Sequence, residues 1–233
     1  MKIAILETGA PPAPLAERFG RYPEMFRRLL GDDYVGASYD VVGGEYPSDP
    51  KDHEVYLVTG SAAGVYDPLP WIPRLKAFLA DAKGRAKLVG VCFGHQIMAE
   101  TFGGRVTKSH KGWGVGLQEY GVFDKEPWMD GARKLAVPVS HQDQVVERPP
   151  NSRVLAGSDF CDIGFLSYED QPAISFQFHP EFQPDYAAAL IDSRRDRLPD
   201  ADAAIASLQG PNDSRRVAEW IRRFVDAPWG RAP

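Results

Sequence analysis

Short, continuous apolar runs alternate along the chain with segments whose apolar residues recur every three or four positions. The continuous runs have the length of buried strands and cover 2–6, 39–42, 55–58 and 87–91. The segments with helical spacing cover 14–30, where Gly20 and Pro23 interrupt the pattern, 71–79 and 93–102. Strands that alternate with helices in this order predict an α/β fold with a doubly wound, mostly parallel sheet and helices on both faces.

The pattern changes after Gly114. Strand-like runs at 135–140, 154–157, 164–168 and 173–178 are joined by polar turns without clear helices. We interpret them as a small antiparallel addition that ends with a return to the main sheet. From residue 184 the chain is helical again, and an apolar stripe is formed by Val217, Trp220, Ile221, Phe224 and Val225.

The chain of 233 residues contains no internal repeat, low-complexity segment or linker-like stretch. Its length suits one large α/β domain better than two of ordinary size. The sequence therefore predicts a single domain over 1–233, with a core at about 1–190 and a helical extension at about 184–226.

Composition and charge exclude several classes of function. The formal net charge is −5, whereas a nucleic-acid-binding protein needs a basic face, so we expect no nucleic-acid partner. Arginines do cluster between 194 and 223, but acidic residues are interleaved with them, and a solvated helix face explains the pattern. No apolar run approaches the ~18 residues of a membrane span, so no membrane association is expected.

The two cysteines, Cys92 and Cys161, form no Cys-x-x-Cys pair and belong to no Cys/His cluster. This usage is typical of a reducing compartment. The N-terminal apolar run is too short for the core of a signal peptide. We therefore expect a soluble, cytoplasmic protein.

The sharpest feature of the sequence surrounds Cys92, which follows a buried strand directly and precedes a helix. Gly90 and Gly94 flank it, as in the nucleophile elbow, where a tight turn leaves no room for a Cβ. The helix N-terminus stabilises a thiolate, and the free N–H of Phe93 is placed as an oxyanion donor. The alternative interpretation is that Cys92 is a small buried hydrophobe at the end of a strand.

Two residues of the following helix are also candidates. Gln96 lies one helical turn beyond Cys92 on the same face, where it can hold a substrate amide or bond to nearby backbone. His95 is better explained by packing or hydrogen bonding than by chemistry.

A thiolate nucleophile needs an imidazole that later protonates the leaving amine. His179 is the best of the five histidines, since it ends an apolar strand at the sheet edge where sites of open α/β folds form. Glu181, two residues on, can fix the tautomer of the imidazole. A rival interpretation makes His179 and Glu181 metal ligands with His141 and Asp143, but helix-spaced ligands are lacking and we expect no metal.

Residues 90–96 (Gly-Val-Cys-Phe-Gly-His-Gln) and 178–181 (Phe-His-Pro-Glu) together resemble the two signatures of class I glutamine amidotransferases. The spacing of 87 residues between Cys92 and His179 (179 − 92) is similar to that family's. The resemblance extends from the first strand to about Phe182. It implies a flavodoxin-like α/β domain without a cofactor, and a Cys92–His179–Glu181 triad that forms a γ-glutamyl thioester.

The resemblance also suggests binding residues. Gly60 and Ser61 fall where the family has a Gly-Gly loop, so the N–H of Ser61 is implied as the second oxyanion donor beside that of Phe93. Residues 140–143 resemble the Ser-His-Gly-Asp segment of GMP synthetase glutaminase domains, with Gln142 in place of glycine. Residues 111–116 are similar to a turn of γ-glutamyl peptidases, whose backbone N–H groups could meet the substrate's α-carboxylate. The implied substrate-binding residues are Gly60, Gln96, Trp113, Gly114, Ser140, His141 and Asp143.

The expected activity is hydrolysis of a γ-glutamyl amide bond, converting glutamine to glutamate and ammonia. Because the chain ends about 50 residues after His179, a synthase that uses the ammonia would be a separate subunit. Three alternatives stay open: a stand-alone γ-glutamyl peptidase acting on peptides or amines, a general cysteine peptidase of related fold, and a catalytically silent regulatory or binding subunit.

Overall fold

The computed structural model describes residues 1–198 and 200–229. The strands are β1 (Ile3–Glu7), β2 (Val35–Asp40), β3 (Val55–Val58), β4 (Lys87–Val91), β5 (Arg105–Lys108), β6 (Gly114–Val122), β7 (Lys134–His141), β8 (Asp143–Glu147), β9 (Ser152–Gly157), β10 (Phe165–Tyr168) and β11 (Ala173–Phe176). The α-helices are α1 (Ala13–Phe19), α2 (Tyr22–Leu30), α3 (Trp71–Ala82), α4 (Phe93–Thr101), α5 (Pro184–Asp192), α6 (Ala201–Ser207) and α7 (Ser214–Asp226), with a 3-10 turn at Arg195–Arg197.

Within the described residues, nine strands form one mixed sheet in the order β2-β1-β3-β4-β11-β10-β9-β6-β7. The strands from β2 to β11 pair in parallel, and those from β10 to β7 pair antiparallel. The predicted return to the sheet is confirmed, because β11 lies beside β4 with Ala173 opposite Leu88. The α/β class is also confirmed, although the antiparallel part is larger than the predicted addition.

Several strands differ from the sequence prediction. The run at 39–42 is instead β2, which begins at Val35 and ends at Asp40, because a turn from Val41 onward leads into Gly43 and Gly44. The strand predicted at 173–178 ends at Phe176. Strands β5, β6 and β8 were not predicted, because polar residues and glycines break their apolar pattern. Of these, β5 and β8 form a separate two-stranded antiparallel sheet.

Both faces of the parallel strands are covered, as predicted. On one face, the apolar sides of α2 and α7 pack in a core that contains Phe26, Trp220 and Ile221. On the other face, α3 and α4 pack through residues such as Leu75 and Ile97. Strands between two helical layers must be apolar on both sides, which explains their continuous hydrophobic runs.

The C-terminal extension is helical but not continuous. Between α5 and α6 the chain passes through the 3-10 turn, and both helices contact β6. Phe182, Tyr186, Leu190 and Leu208 belong to a third apolar cluster, which joins this extension to Tyr22 and Met25 of α2. No helix in the described part of the chain is both long and apolar enough to cross a membrane.

Lys87, at the start of β4, connects the central sheet to the end of α7. Its side chain is buried, and Nζ donates to the carbonyls of Phe224, Val225 and Ala227 at 2.8, 2.7 and 2.6 Å. The last carbonyls of a helix have no partner within the helix, so a buried ammonium that satisfies three acceptors there anchors α7.

Replacing this ammonium should weaken the fold measurably. We expect Lys87→Met to lower the free energy of unfolding by about 2–4 kcal/mol in urea denaturation, since buried carbonyls lose a charged donor. The control is Lys83→Met, which removes the half-exposed ion pair between Lys83 and Asp170 (2.6 Å) and should cost under about 1 kcal/mol. Equal effects of the two substitutions would contradict the anchoring role.

Candidate active site

Cys92 lies between β4 and α4 in a strained backbone conformation. Its φ of 53° and ψ of −102° are unusual for a residue with a side chain, and its N–H donates to the carbonyl of Phe176 at 2.7 Å. Such strain persists only where the surrounding structure enforces it. The tight strand-to-helix turn predicted from the flanking glycines is therefore present, with Cys92 at the N-cap of α4.

Gly94 brings the first turn of α4 against the end of β3. Its N–H donates to the carbonyl of Thr59 at 3.1 Å, and a Cβ there would lie 2.2 Å from the carbonyl oxygen of Val58. No side chain fits this approach. It places the loop that follows β3 beside Cys92 and Phe93, whose N–H belongs to the unpaired first turn of the helix.

That loop carries Gly60 and Ser61. The hydroxyl of Thr8 fixes this loop by hydrogen bonds to the carbonyls of Thr59 at 3.0 Å and Gly60 at 3.1 Å. A Cβ on Gly60 would be 2.9 Å from Cε1 of His179 and 3.7 Å from Cβ of Cys92. The predicted nucleophile and base therefore meet at Gly60, although 87 residues separate them (179 − 92).

His179 and Glu181 form a buried pair behind Cys92. Nδ1 of His179 lies 2.7 Å from Oε1 of Glu181, and the two residues are 3% and 1% exposed. The ring of Phe182 stacks on the imidazole with 3.9 Å between the centroids. A carboxylate at Nδ1 fixes the tautomer and leaves Nε2 for a reacting group.

Opposing effects act on the pKa of His179. Burial alone would lower it, but the negative charges of Cys92 and Glu181 and hydrogen bonds to both raise the pKa to about 10. The arrangement thus favours the protonated, imidazolium form of His179. The described residues contain no cluster of three or more His, Cys, Asp or Glu that could hold a metal ion.

Gln177 is a site residue that the sequence analysis did not identify. Its Nε2 lies 3.8 Å from Sγ of Cys92, and its Oε1 accepts from Nε2 of Gln96 at 3.2 Å. Nε2 of Gln96 also donates to the backbone carbonyl of Asp143 at 2.8 Å. Of the two roles predicted for Gln96, the structure therefore contains the hydrogen bond to backbone. The sequence did contain a signal for this residue: Gln177 stands two residues before His179 in an extended segment, so the two side chains point to the same face.

His141 and His95 are both buried and neutral. Burial lowers the pKa of His141 to about 3 and that of His95 to about 4. Nδ1 of His141 lies 3.1 Å from the carbonyl of Asp143, whereas its Nε2 has no partner among the described residues. His95 lies 2.8 Å from the hydroxyl of Ser175 and 3.1 Å from the carbonyl of Ile163, which fits the expected packing role.

A cleft of about 320 Å³ opens above Cys92. Its walls are the loop after β3, the turn between β7 and β8, and the segment after α5. The predicted residues Ser61, Gln96, Trp113, Ser140, His141 and Asp143 line it together with Tyr66, Lys108, Arg194 and Arg197. Gly114 lies in β6 opposite His141, against Phe160, and is not a lining residue.

The turn at residues 111–116 is less open to an anion than its glycines suggested. The N–H of Lys111 donates to the hydroxyl of Ser109 at 3.1 Å, and that of Gly112 donates to the carbonyl of Ser109 at 3.2 Å. From Gly114 onward the backbone belongs to the β6–β7 ladder. The N–H groups of Lys111 and Gly112 are therefore already bonded within the turn.

The chain is similar to known proteins over most of its length. The family model "Glutamine amidotransferase class-I" matches residues 63–192. Gamma-glutamyl peptidase 2 of Arabidopsis thaliana is 31% identical over 76% of this chain and 74% of its own length. A subunit of the glutamine-hydrolysing GMP synthase of Methanopyrus kandleri is 30% identical over 72% of this chain and 88% of its own.

Among solved structures, a glutamine amidotransferase from Thermotoga maritima superimposes with a TM-score of 0.73. The alignment covers 97% of this chain and 99% of that one. At 16% sequence identity this likeness shows the fold alone.

The buried histidines make stability depend on pH. The pKa of a histidine is near 6.5 in the unfolded chain, whereas burial lowers that of folded His95 to about 4. Between these two pH values the unfolded state binds a proton that the folded state does not bind. The contribution of neutral His95 to the free energy of unfolding is therefore fully present above pH 6.5 and is lost as the pH falls toward 4. We expect His95→Gln to reduce this dependence by up to about 1.4 kcal/mol per pH unit, measured by urea denaturation from pH 7 to 4. An unchanged slope would show that His95 does not contribute.

Proposed function

The chain belongs to the class I glutamine amidotransferase family, and from that premise we propose that it hydrolyses a γ-glutamyl amide bond with Cys92 as nucleophile. The observation that carries the proposal is Cys92 in its strained turn beside the buried His179–Glu181 pair. A residue held in this conformation at a helix N-terminus, with a charged imidazole against it, suits a reactive thiolate.

The reaction runs in two halves. The Cys92 thiolate attacks the γ-carbonyl carbon, and the N–H groups of Phe93 and Ser61 stabilise the oxyanion that forms. His179, held by Glu181, gives its proton to the leaving nitrogen, so that ammonia or an amine departs and a thioester remains. Water then attacks the thioester while His179 accepts a proton from it. Glutamate leaves, and the thiolate and imidazolium are restored.

The cleft would hold the γ-glutamyl group. Asp143 is only half-buried, and its Oδ2 accepts from the Tyr66 hydroxyl at 2.8 Å, which orients the carboxylate for the substrate's α-ammonium group. Gln96 and Gln177 bond to each other below it, and their bonds fix the turn between β7 and β8 relative to Cys92.

A second candidate is a stand-alone γ-glutamyl peptidase. The feature that favours it is the cleft of about 320 Å³, in which Tyr66, Trp113, Arg194 and Arg197 are lining residues together with Cys92; aromatic and charged walls of this kind suit a substrate larger than glutamine. A partner synthase would instead favour free glutamine. Release of amine or ammonia from glutamine, γ-glutamyl amines and γ-glutamyl peptides separates these functions: higher kcat/KM for peptides supports the peptidase, and preference for glutamine supports the amidotransferase.

The nucleophile can be tested by labelling. An electrophilic glutamine analogue, 6-diazo-5-oxo-L-norleucine, should alkylate Cys92 and abolish hydrolysis, and Cys92→Ala should remove both labelling and at least about 10³-fold of the activity. Cys161 supplies the control, because burial raises the pKa of its thiol to about 12 and Cys161→Ala should leave both unchanged. A labelled, active Cys92→Ala protein would refute the mechanism and indicate another nucleophile. A wild-type protein that hydrolyses none of these substrates would indicate a silent binding protein.

The packing of Gly60 against His179 gives an independent test. In Gly60→Ala the new methyl would lie 2.9 Å from Cε1 of His179, and an imidazole clamped by Glu181 and Phe182 must shift. We expect kcat to fall by roughly 100-fold while circular dichroism stays native. Gly131→Ala is the matched control, because nothing lies within 4 Å of its added Cβ. Unchanged turnover in Gly60→Ala would argue against a reacting His179.

A further inference from the structure

Arg194 is placed differently from the other arginines of the C-terminal cluster. It follows α5, and its half-buried side chain lines the cleft above Cys92. Nη1 donates to the hydroxyl of Ser140 at 3.4 Å, and the guanidinium carbon lies 6.0 Å from the centre of the Trp113 ring. These contacts hold the guanidinium in the cleft and contradict the solvated helix face that the sequence pattern suggested for this residue.

Its neighbours behave as the sequence predicted. Arg195 points outward, where its guanidinium pairs with Asp192 at 2.9 Å and Asp202 at 2.8 Å. Arg197 reaches the rim of the cleft, but its side chain is 76% exposed and lies 4.0 Å from Asp196. Arg194, in contrast, has no carboxylate within ion-pair distance among residues 1–198 and 200–229. A half-buried guanidinium that bonds only to a neutral hydroxyl retains donors for an anion.

The opposite charge lies nearby on the same wall. Ser140, which contacts Arg194, is three residues from Asp143, and both line the cleft. The carboxylate of Asp143 accepts from Tyr66, and no described cation pairs with it. His141, between them, adds a buried Nε2 without a partner among the described residues; since Nδ1 faces a carbonyl, this Nε2 is an acceptor. The guanidinium of Arg194 and the carboxylate of Asp143 do not pair with each other. Together they are complementary to a zwitterion, which carries one group of each charge.

We propose that Arg194 is a specificity-determining residue that binds the α-carboxylate of the substrate's γ-glutamyl group. This inference rests on the proposed function, which places that group in the cleft. The α-ammonium lies at Asp143, and the α-carboxylate receives hydrogen bonds from the guanidinium of Arg194, whose carbon lies 6.0 Å from the centre of the Trp113 ring. The backbone N–H groups of Lys111 and Gly112 are already bonded to Ser109, so they do not compete for this anion.

A carboxylate on the leaving group is the other source of the same chemistry. Glutamine itself has no such group, because its leaving group is ammonia. Arg194 lies with Ser140, on the wall that carries Asp143, the partner proposed for the α-ammonium group. The α-carboxylate is therefore the anion that fits, and it is present in every γ-glutamyl substrate. Arg194 lies outside the segment that matches the family model, which ends at residue 192, so the family match does not assign it a role.

The inference is tested by the rate of Cys92 alkylation in the intact protein. Two reagents are compared: 6-diazo-5-oxo-L-norleucine, which carries the amino-acid head group, and iodoacetamide, which lacks it. We expect Arg194→Gln to slow the first reaction about 10- to 100-fold, the loss typical of a charge-assisted bond, and to change the second less than about twofold. Arg194→Lys should recover part of the rate, and Arg195→Gln, the matched control, should alter neither.

Substrates then identify the carboxylate. Arg194→Gln should raise KM for glutamine but not for glutamine α-amide, in which a neutral amide replaces the α-carboxylate. A rise in KM that instead appears with γ-glutamylglycine, and not with γ-glutamylglycinamide or glutamine, would overturn the assignment. Arg194 would then bind the carboxylate of the leaving group. Equal slowing of both alkylating reagents, or of neither, would also overturn it.

The proposed function is tested separately by turnover. Wild-type hydrolysis that disappears in Cys92→Ala supports that function whatever Arg194 does. If Cys92 is alkylated with the Arg194 dependence described but no γ-glutamyl compound is hydrolysed, the binding inference stands and the proposed reaction fails.

Discussion

The approach of α4 to the end of β3 is the constraint on which the rest of the site depends. With Gly94 bonded to the carbonyl of Thr59, the helix starts so close to β3 that a Cβ would lie 2.2 Å from the oxygen of Val58. Three groups are brought together as a result: the sulfur of Cys92, the first N–H of the helix and the loop at Gly60. A larger residue at Gly94 would separate all three, because backbone atoms on both sides leave no side chain to yield.

The same packing separates the chemistry from solvent. His179 and Glu181 are buried, with the ring of Phe182 stacked on the imidazole, and neither lines the cleft, whereas Cys92 does. In such a buried setting the attraction between an imidazolium and its two anionic neighbours outweighs the penalty that burial imposes, and this balance raises the pKa of His179. On our proposal, substrate reaches Cys92 from the cleft while His179, the proton donor, stays shielded from solvent.

The C-terminal extension adds a wall that the core sheet cannot provide. Its apolar cluster with Tyr22 and Met25 fixes α5, and the chain that leaves α5 carries Arg194 into the cleft while Arg195 bonds outward. Two adjacent arginines with similar sequence surroundings thus make different contacts, one with Ser140 in the cleft and the other with Asp192 and Asp202. On our proposal, packing far from Cys92 decides which head group the cleft accepts.

Local features were readable from the sequence alone. Continuous apolar runs determined the parallel strands β1, β3, β4 and β11 but not β2. The glycines around Cys92 determined the tight turn, and the short spacing of His179 and Glu181 determined their pairing, since each depends on neighbouring residues. Tertiary structure alone decided the rest. Gln177 bonds near Cys92, Lys87 anchors α7, and Arg194 enters the cleft through contacts between distant segments. A sequence states which residues are charged or polar; only the packed fold determines which of them lose water and face one another.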